Sequence, residues 1–346
     1  MNDQGTLRFD TFTVLDGYPA AGQRPQDVIA RTLSEAQLAE QLEFDTFWLA
    51  EHHFMPYGIC PSPPVLLSAI AQRTRRIRLG PAVCVVPLEH PIRVAEQYAM
   101  VDIISDGRLE MAVGAGYLKH EFAGFGVDAA SRRERFDEGL DVLLALWSGQ
   151  SVSHTGRWFQ LDSMQLNVLP LQKPRPPVWV AVGHPQSVRP AARRGVPILL
   201  IPYAAGLTDA PLAELIEVYR SGFVANDTAG AAAVGAAYHL IVAPTDAEAR
   251  ELMQEALRTY IASRTQHVGL DATAIIAGGL AIAGDPDACI RRIRALEETG
   301  LDRLLLIASF GNLPLQIVER TLRLFAAEVR PAFGASTRLV ASRSVP

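Results

Sequence analysis

The stretch that decides the fold runs from residue 44 to residue 54 and reads Phe44-Asp45-Thr46-Phe47-Trp48-Leu49-Ala50-Glu51-His52-His53-Phe54. Its first half is a short apolar run, and short apolar runs are typical of buried parallel strands. Its second half brings one acid and two histidines to the point where that strand would end. Side chains at this edge of an α/β fold commonly carry the chemistry. The stretch therefore predicts a buried strand with candidate functional groups at its carboxyl end.

Seven further runs of the same kind alternate along the chain with segments of helical periodicity. This alternation predicts a parallel sheet with helices outside it. Eight strands favour closure into a (β/α)8 TIM barrel, and a length of 346 residues is compatible with one such domain. The predicted strands cover residues 8–14, 45–49, 77–86, 108–113, 177–182, 197–201, 238–242 and 302–307.

Three of the predicted helices carry a recognisable start. Two are capping boxes, in which a hydroxyl side chain and a glutamate three residues later satisfy each other's free backbone amides. In the third, an aspartate precedes a proline in the first turn. The three starts are Ser131 with Glu134, Thr245 with Glu248, and Asp285 with Pro286.

Two regions interrupt the alternation. Residues 151–177 are rich in polar, aromatic and proline residues, and residues 264–284 show no helical stripe. Both are predicted as loop insertions at the C-terminal face, between a strand and the following helix. Such insertions build the active site in some barrels and are passive in others, so both interpretations stay open. The chain from about residue 336 is predicted as a loose tail of the same single domain, residues 1–346.

The composition is that of an ordinary enzyme, with 49% hydrophobic and 20% charged residues. A net charge of −5 without a long basic run gives no footprint for nucleic acid. The three cysteines form neither a disulfide framework nor a CxxC motif, and Cys84 is predicted to be an inert core thiol. We expect a cytoplasmic protein that does not insert into membranes, because the sequence lacks a signal-peptide pattern and an apolar run of ~20 residues.

The two adjacent histidines are the first candidates for chemistry. A metal site is not predicted, because HExxH spacing and paired cysteines are missing around them. Because an imidazole changes its charge near neutral pH, His52 is instead predicted to hold or move a proton. For His53, the same role and a structural hydrogen bond to the backbone are equally open.

Proline and glycine mark three more strand ends. Pro81 lies inside the third predicted strand and indicates a distortion there, because proline cannot donate to the sheet. Gly114 follows the fourth strand and leaves clearance for a planar ligand near the main chain. After the fifth strand, Gly183, His184 and Ser187 precede a helix whose free amides suit either a phosphate or a plain cap.

Ten stretches of the sequence match the pattern of one known family. They are residues 44–54, 77–80, 90–91, 106–109, 114–116, 121–122, 125–127, 284–286, 324–325 and 329–331. On these stretches the chain resembles the bacterial luciferase-like flavin monooxygenases over nearly its full length. The resemblance implies a (β/α)8 barrel, a homodimer, and reduced FMN supplied by a separate flavin reductase. It further implies that reduced FMN and O2 form a C4a-peroxyflavin, which oxygenates a small organic substrate.

The resemblance also implies roles for single residues. It assigns the role of the catalytic histidine to His52 and places a cis peptide bond beside the flavin ring between Ala82 and Val83. It assigns the binding of the flavin phosphate to the turn that contains Gly183, His184 and Ser187.

The chain departs from the bacterial luciferase pattern at three places. Gly114 and Ala115 stand where the catalytic subunit of luciferase has a cysteine and a phosphate-binding arginine. Gly183 and His184 stand where it has an acid and a serine, so we expect His184 to take over part of the phosphate recognition. The long loop that shields the luciferase intermediate is largely missing from residues 260–284, so neither efficient light emission nor specificity for long-chain aldehydes is expected.

Two other functions fit the same sequence. A deazaflavin-dependent dehydrogenase or reductase on this barrel would transfer hydride and need no O2. A catalytically silent flavin-binding subunit would only stabilise a partner. The run from Glu51 to Phe54 favours the FMN-dependent branch, and the presence of His52 argues against the silent subunit.

Overall fold

The computed structural model describes residues 6–183, 185–225, 232–264, 269 and 271–334. Within these ranges, strands and helices alternate along the chain. The strands are β1 (Arg8–Thr13), β2 (Thr46–Leu49), β3 (Arg78–Pro81), β4 (Cys84–Val85), β5 (Met111–Gly114), β6 (Val152–Thr155), β7 (Gln160–Met164), β8 (Val178–Ala181), β9 (Ile198–Leu200), β10 (Val234–Val242), β11 (Ala281–Gly284) and β12 (Arg303–Ile307). The α-helices are α1 (Pro25–Gln41), α2 (Pro63–Ala71), α3 (Pro91–Ile104), α4 (Lys119–Gly124), α5 (Arg132–Leu146), α6 (Val188–Arg193), α7 (Pro202–Ala205), α8 (Asp209–Ser221), α9 (Asp246–Ala262), α10 (Ala272–Ala277), α11 (Pro286–Glu298) and α12 (Leu315–Leu324).

The parallel strands of the described residues close into a barrel in the order β3-β2-β1-β12-β10-β9-β8-β5-β4. β3 and β4 are two pieces of one barrel strand, separated by Ala82 and Val83. A parallel bridge between Leu79 of β3 and Leu109, just before β5, joins the two ends of the sheet. With β3 and β4 counted as one, the part of the chain that the structure describes has eight barrel strands, and the predicted (β/α)8 fold is confirmed.

The barrel strands are buried on both faces, because side chains fill the interior and helices cover the outside. Every residue of β2, β5, β10 and β12 is buried. This double burial explains why these strands appear in the sequence as continuous apolar runs rather than as alternating ones. No helix among the described residues is both long enough and apolar enough to cross a membrane.

The segment at residues 151–177 differs from its prediction. It connects α5 to β8, so it does not lie between a strand and the following helix. It forms the antiparallel hairpin β6–β7 instead. The carboxylate of Glu138 on α5 accepts hydrogen bonds from the backbone N–H groups of residues 157–159 and thereby fixes the hairpin turn.

The segment at residues 264–284 contains regular structure that the sequence did not predict. Its described part includes α10 and β11, and β11 pairs with the second half of β10 from His239 to Val242. β10 itself begins at Val234 rather than at residue 238. A Cβ atom on Gly235 would lie 2.5 Å from Leu199 Cδ2, so the strand needs a residue without a side chain at that point.

The three predicted helix starts have different outcomes. Asp285 caps α11 as predicted, and its side chain accepts a hydrogen bond from a first-turn amide at 2.8 Å. Thr245 caps α9, but the glutamate of that box binds Arg320 instead of the cap. The capping box at Ser131 is wrong, because the Ser131 hydroxyl donates to the carbonyl of Asp128 and makes no cap bond. The Asp128 side chain caps the preceding short 3-10 turn.

A buried charged network crosses the amino-terminal half of the barrel. Arg303 lies between two carboxylates, with its Nη1 2.8 Å from Glu110 Oε1 and its Nε 3.4 Å from Asp10 Oδ2. The indoles of Trp48 and Trp179 donate to the same two carboxylates. Burial raises the pKa of Asp10 to about 7 despite the nearby arginine. Burial also opposes the charge of Glu110, but there Arg303 and other donors prevail and lower the pKa to about 2.

The raised pKa of Asp10 predicts a pH-dependent stability. The folded protein keeps the proton on Asp10 up to a pH of about 7, whereas the unfolded chain releases it near the ordinary value of 3.8. Between these values the folded state binds one more proton, so this group lowers the free energy of unfolding by up to ~1.4 kcal/mol for each unit that the pH rises. Asp10→Asn is expected to remove this part of the slope in denaturant unfolding curves measured across that range. An unchanged slope would contradict the assignment.

Candidate active site

The carboxyl ends of the strands bring the candidate residues to one face of the barrel. His52 lies after β2, and Ala82 and Val83 lie between β3 and β4. Gly114 ends β5, and Gly183 follows β8. Because parallel strands all end on the same face, these residues share the face where barrel enzymes carry their sites.

A buried glutamate orients His52. Glu121 Oε1 lies 3.1 Å from His52 Nδ1 and accepts a hydrogen bond from the backbone N–H of His53 at 3.0 Å. Only 2% of the Glu121 side chain is exposed. Because an ionised carboxylate can only accept, this contact places a hydrogen on Nδ1 of His52 and leaves Nε2 for other chemistry. In the sequence, Glu121 stands out only as part of the stretch 121–122 that matches the family, and no local pattern pairs it with His52.

The neighbouring pair Glu51 and His53 has a different arrangement. His53 Nε2 lies 3.2 Å from Glu51 Oε1, and the other carboxylate oxygen of Glu51 accepts from the backbone N–H of Val85 at 3.2 Å. This chain of contacts ties the end of β2 to β4. Among the described residues, the ring of His53 contacts a carboxylate and not the backbone, so both interpretations of His53 stay open.

The ring of His52 packs against Gly58 and Tyr57. A Cβ atom on Gly58 would lie 2.4 Å from His52 Cδ2, so the glycine backbone lies directly against the imidazole. The ring of Tyr57 meets it edge-on, with centroids 5.2 Å apart. Gly58 also has a φ of +67°, a conformation that favours glycine. Tight packing of this kind holds a side chain in one orientation.

The peptide bond between Ala82 and Val83 is cis, as the resemblance implied. Both residues are partly buried. A Cβ atom on Gly114 would lie 2.8 Å from Val83 Cγ2. The clearance that Gly114 provides is therefore filled by Val83, and a direct contact of Gly114 with a cofactor stays a prediction.

The turn after β8 combines open space with hydrogen-bond donors. Gly183 is exposed, and an added Cβ atom would meet no atom of the described residues within 4 Å. The hydroxyl of Ser187 is contacted by the guanidinium of Arg133, which lies in the first turn of α5. The sequence analysis did not single out Arg133, because only barrel closure brings residues so distant in sequence together. The predicted role of His184 falls outside the described residues.

A second group of polar and aromatic residues is centred on an ion pair that no local pattern in the sequence indicates. Arg264, after α9, forms a bidentate ion pair with Asp16, after β1, with N···O distances of 2.9 and 3.1 Å. The guanidinium lies over the rings of Tyr57 and Tyr260, at 4.5 and 3.7 Å from their centroids. Tyr57 thus contacts both Arg264 and His52, so this group adjoins the candidate histidine.

The rings of this second group pack against His239 on β10. Its ring is completely buried, and neither ring nitrogen has a hydrogen-bond partner among the described residues. The rings of Tyr203, Tyr260 and Phe310 surround it at centroid distances of 4.9, 4.6 and 4.5 Å. Burial, with a contribution from Arg264, lowers the pKa of His239 to about 3, so the ring is neutral.

Cys84 and Trp158 are both packed against the hydrophobic core. Cys84 is buried, and burial raises the pKa of its thiol well above the usual range, as expected for an inert core thiol. Trp158 lies on the hairpin turn between the guanidinium groups of Arg135 and Arg157. Across the described ranges, no three histidine, cysteine, aspartate or glutamate side chains converge as a metal ion would require.

Comparison with known proteins identifies the family. The model of the luciferase-like monooxygenases matches residues 7–303, and the chain belongs to this family. The oxygenase component of flavin-dependent trigonelline monooxygenase from Acinetobacter baylyi is 32% identical over 203 residues, which cover 58% of this chain and 56% of that protein. The crystal structure of the monooxygenase RslO1 from Streptomyces bottropensis is 28% identical and has a TM-score of 0.81, covering 94% of this chain and 99% of that one.

Relatives with another cofactor also exist. The F420-dependent hydroxymycolic acid dehydrogenase of Mycobacterium tuberculosis is 33% identical over 173 residues. The match covers 48% of this chain and 47% of that protein. Both a flavin-dependent monooxygenase and an F420-dependent dehydrogenase therefore occur among the proteins similar to this one.

Proposed function

We propose that this protein is the oxygenase component of a two-component monooxygenase, which receives reduced FMN from a separate flavin reductase and uses O2 to oxygenate a small organic substrate. The observation that carries the proposal is the His52–Glu121 pair at the end of β2 in a chain of this family. A histidine held in one tautomer at the mouth of a barrel suits proton transfer in a site that activates O2.

The C-terminal face fits reduced FMN, which when bound would supply the electrons that activate O2. Arg133 and Ser187 provide donors for a phosphate, and Gly183 leaves space beside them. Ala82 and Val83 present a partly exposed apolar surface against which a planar ring would pack. These five residues would hold the cofactor.

His52 would hold or move a proton near the bound flavin. Glu121 occupies its Nδ1, so Nε2 is the atom that would exchange the proton. Tyr57 is 1% exposed and covers one side of the imidazole, which limits the access of water. The same packing would keep the imidazole in place while a substrate enters.

The test is product formation in a reconstituted system. The purified protein, FMN, a flavin reductase and NADH are combined with a substrate panel and isotope-labelled O2. The proposal predicts a product that carries one labelled oxygen atom and requires both proteins. A product that forms without O2 in the presence of reduced deazaflavin would contradict it and favour the dehydrogenase.

That dehydrogenase is the second candidate, and the similarity to an F420-dependent enzyme supports it. Hydride transfer would need the same barrel face and no O2. Tight binding of reduced deazaflavin together with weak binding of reduced FMN is its distinguishing result. The silent flavin-binding subunit is the third candidate, and oxygenation of any substrate by the purified protein with only a reductase added would dismiss it.

We further propose that the protein is a homodimer that associates through α2 and α3. These helices pack against each other and expose three large apolar side chains: Val65 at 71%, Met100 at 47% and Ile103 at 47%. Exposed apolar groups on neighbouring helices are typical of an interface. Val65→Glu combined with Met100→Glu is expected to convert a dimer into a monomer in size-exclusion chromatography with light scattering. Val224→Glu is the control, and a monomeric parent protein would contradict the proposal.

A further inference from the structure

The group formed by His239, Tyr203, Tyr260 and Arg264, here called the tyrosine subsite, has more hydrogen-bonding capacity than the protein uses. The hydroxyls of Tyr203 and Tyr260 lie 2.7 Å apart. Only one of them can donate to the other, so the second hydroxyl hydrogen has no acceptor within this pair. Burial raises the pKa of Tyr260 to about 12 and raises the pKa of Tyr203 well above its usual range, so both keep their hydrogens at neutral pH.

The other two members add further unused groups. Arg264 contacts Asp16 through Nη1 and Nη2. Its buried Nε has no hydrogen-bond partner among the described residues. His239 is neutral, and its one donor and one acceptor have no partner in the part of the chain that the structure describes. Unpaired polar groups are costly in a buried place, and they are expected to be satisfied when a ligand completes the site. Most of these unused groups are donors, so the missing partner offers an acceptor.

The charges of the neighbourhood limit what that acceptor can be. Arg264 is already neutralised by Asp16, and Glu121 beside His52 adds a negative charge. A bound carboxylate would therefore leave an uncompensated negative charge in a buried site, which is strongly unfavourable. A neutral carbonyl oxygen accepts the same hydrogen bonds without this cost.

The rings around the subsite indicate the shape of the ligand. Tyr203, Tyr260 and Phe310 surround His239, and Tyr57 joins the subsite to His52. Aromatic walls favour a flat, unsaturated body that packs against their faces. The subsite adjoins the proposed proton-transfer residue, as a substrate site must.

We propose that the tyrosine subsite binds the substrate of the proposed oxygenase, and that this substrate is a neutral, planar compound whose carbonyl oxygen accepts hydrogen bonds from Arg264 and the tyrosine pair. This inference rests on the proposed function only in treating the bound compound as the substrate. The binding site itself does not depend on the identity of the cofactor.

Binding is tested with three matched probes: acetophenone, benzoate and ethylbenzene. They share a ring and differ in having a neutral acceptor, an anionic acceptor or none. Affinities for the complete protein, with and without oxidised FMN, are measured by ligand-detected NMR titration. Acetophenone is expected to bind at least ~10-fold more tightly than either of the others, since one good hydrogen bond to a charged donor is worth about that factor. Benzoate binding as tightly as acetophenone would overturn the proposal.

Variants assign the preference to the subsite. Arg264→Met is expected to reduce the preference for acetophenone over ethylbenzene, whereas Arg250→Met, which changes an exposed arginine on α9, should leave that preference unchanged. If the loss of Arg264 unfolds the protein by leaving Asp16 unpaired, Arg264→Met with Asp16→Asn removes both charges together. Tyr203→Phe with Tyr260→Phe keeps the rings and should also weaken acetophenone binding. A preference that survives all of these variants would overturn the proposal.

The two proposals fail in different ways. If FMN binds and the probes show no preference, the subsite is refuted and the oxygenase proposal stands. If the preference for acetophenone is present but FMN does not bind, the oxygenase proposal is refuted while the carbonyl-binding site stands.

Discussion

Replacement of His52 by alanine is expected to lower the rate of product formation by ~10²–10⁴-fold and to leave the fold intact, because a positioned general acid or base commonly contributes that factor. The side chain is only partly exposed, and its polar contact among the described residues is with Glu121. Product formation is measured in the reconstituted system with saturating reduced FMN. An unchanged midpoint of thermal unfolding is the expected sign that the fold is intact.

Two variants control this experiment. His154→Ala removes a histidine that is also paired with a glutamate, but on the β6–β7 hairpin, and should leave turnover unchanged. Glu121→Gln keeps an acceptor for the backbone of His53 but removes the charge that orients the imidazole. Glu121→Gln is expected to reduce turnover less than His52→Ala does, and to shift the pH dependence of turnover. Unchanged turnover in His52→Ala would remove His52 from the mechanism.

The largest effect on stability is expected from Arg303→Met. This change leaves Asp10 and Glu110 buried without the cation that lies between them. Removal of one partner from a buried ion pair costs ~3–5 kcal/mol, because the remaining charge loses both water and its partner. The free energy of unfolding is measured by urea titration at neutral pH.

The same titration on Arg250→Met provides the comparison. Its partner, Asp246, is 42% exposed, and exposed pairs contribute only ~0–1 kcal/mol. Combining Arg303→Met with Asp10→Asn and Glu110→Gln should recover part of the loss, since no carboxylate then remains. A loss below ~1 kcal/mol for Arg303→Met alone would contradict the role assigned to the buried network.

The parts of the fold that the sequence predicted are those with a local signal. The barrel strands are apolar runs, and Asp285 before Pro286 marks the start of α11 by itself. β11 has no such signal, because its alanines and glycine resemble a loop. It becomes a strand where the second half of β10 offers a free edge. Ser131 failed as a cap because Asp128 supplies one a turn earlier.

The same distinction explains the site. His52 could be predicted because it lies directly after an apolar strand. Its partner Glu121 is 69 residues away in sequence, and the ion pair between Asp16 and Arg264 joins residues 248 apart. Only closure of the barrel brings such residues together, so no local pattern predicts them. His239 was hidden for another reason: in the sequence it is one polar residue inside a strand, and its significance comes from the unpaired ring nitrogens.

The measurement that tests the central claim most directly is anaerobic titration of the protein with reduced FMN, followed by rapid mixing with oxygenated buffer and recording of the absorbance. The account predicts tight binding of reduced FMN and a transient absorbing species that precedes oxidised flavin and decays differently in His52→Ala. Reduced FMN that does not bind, or that reoxidises as it does free in solution, would contradict the account.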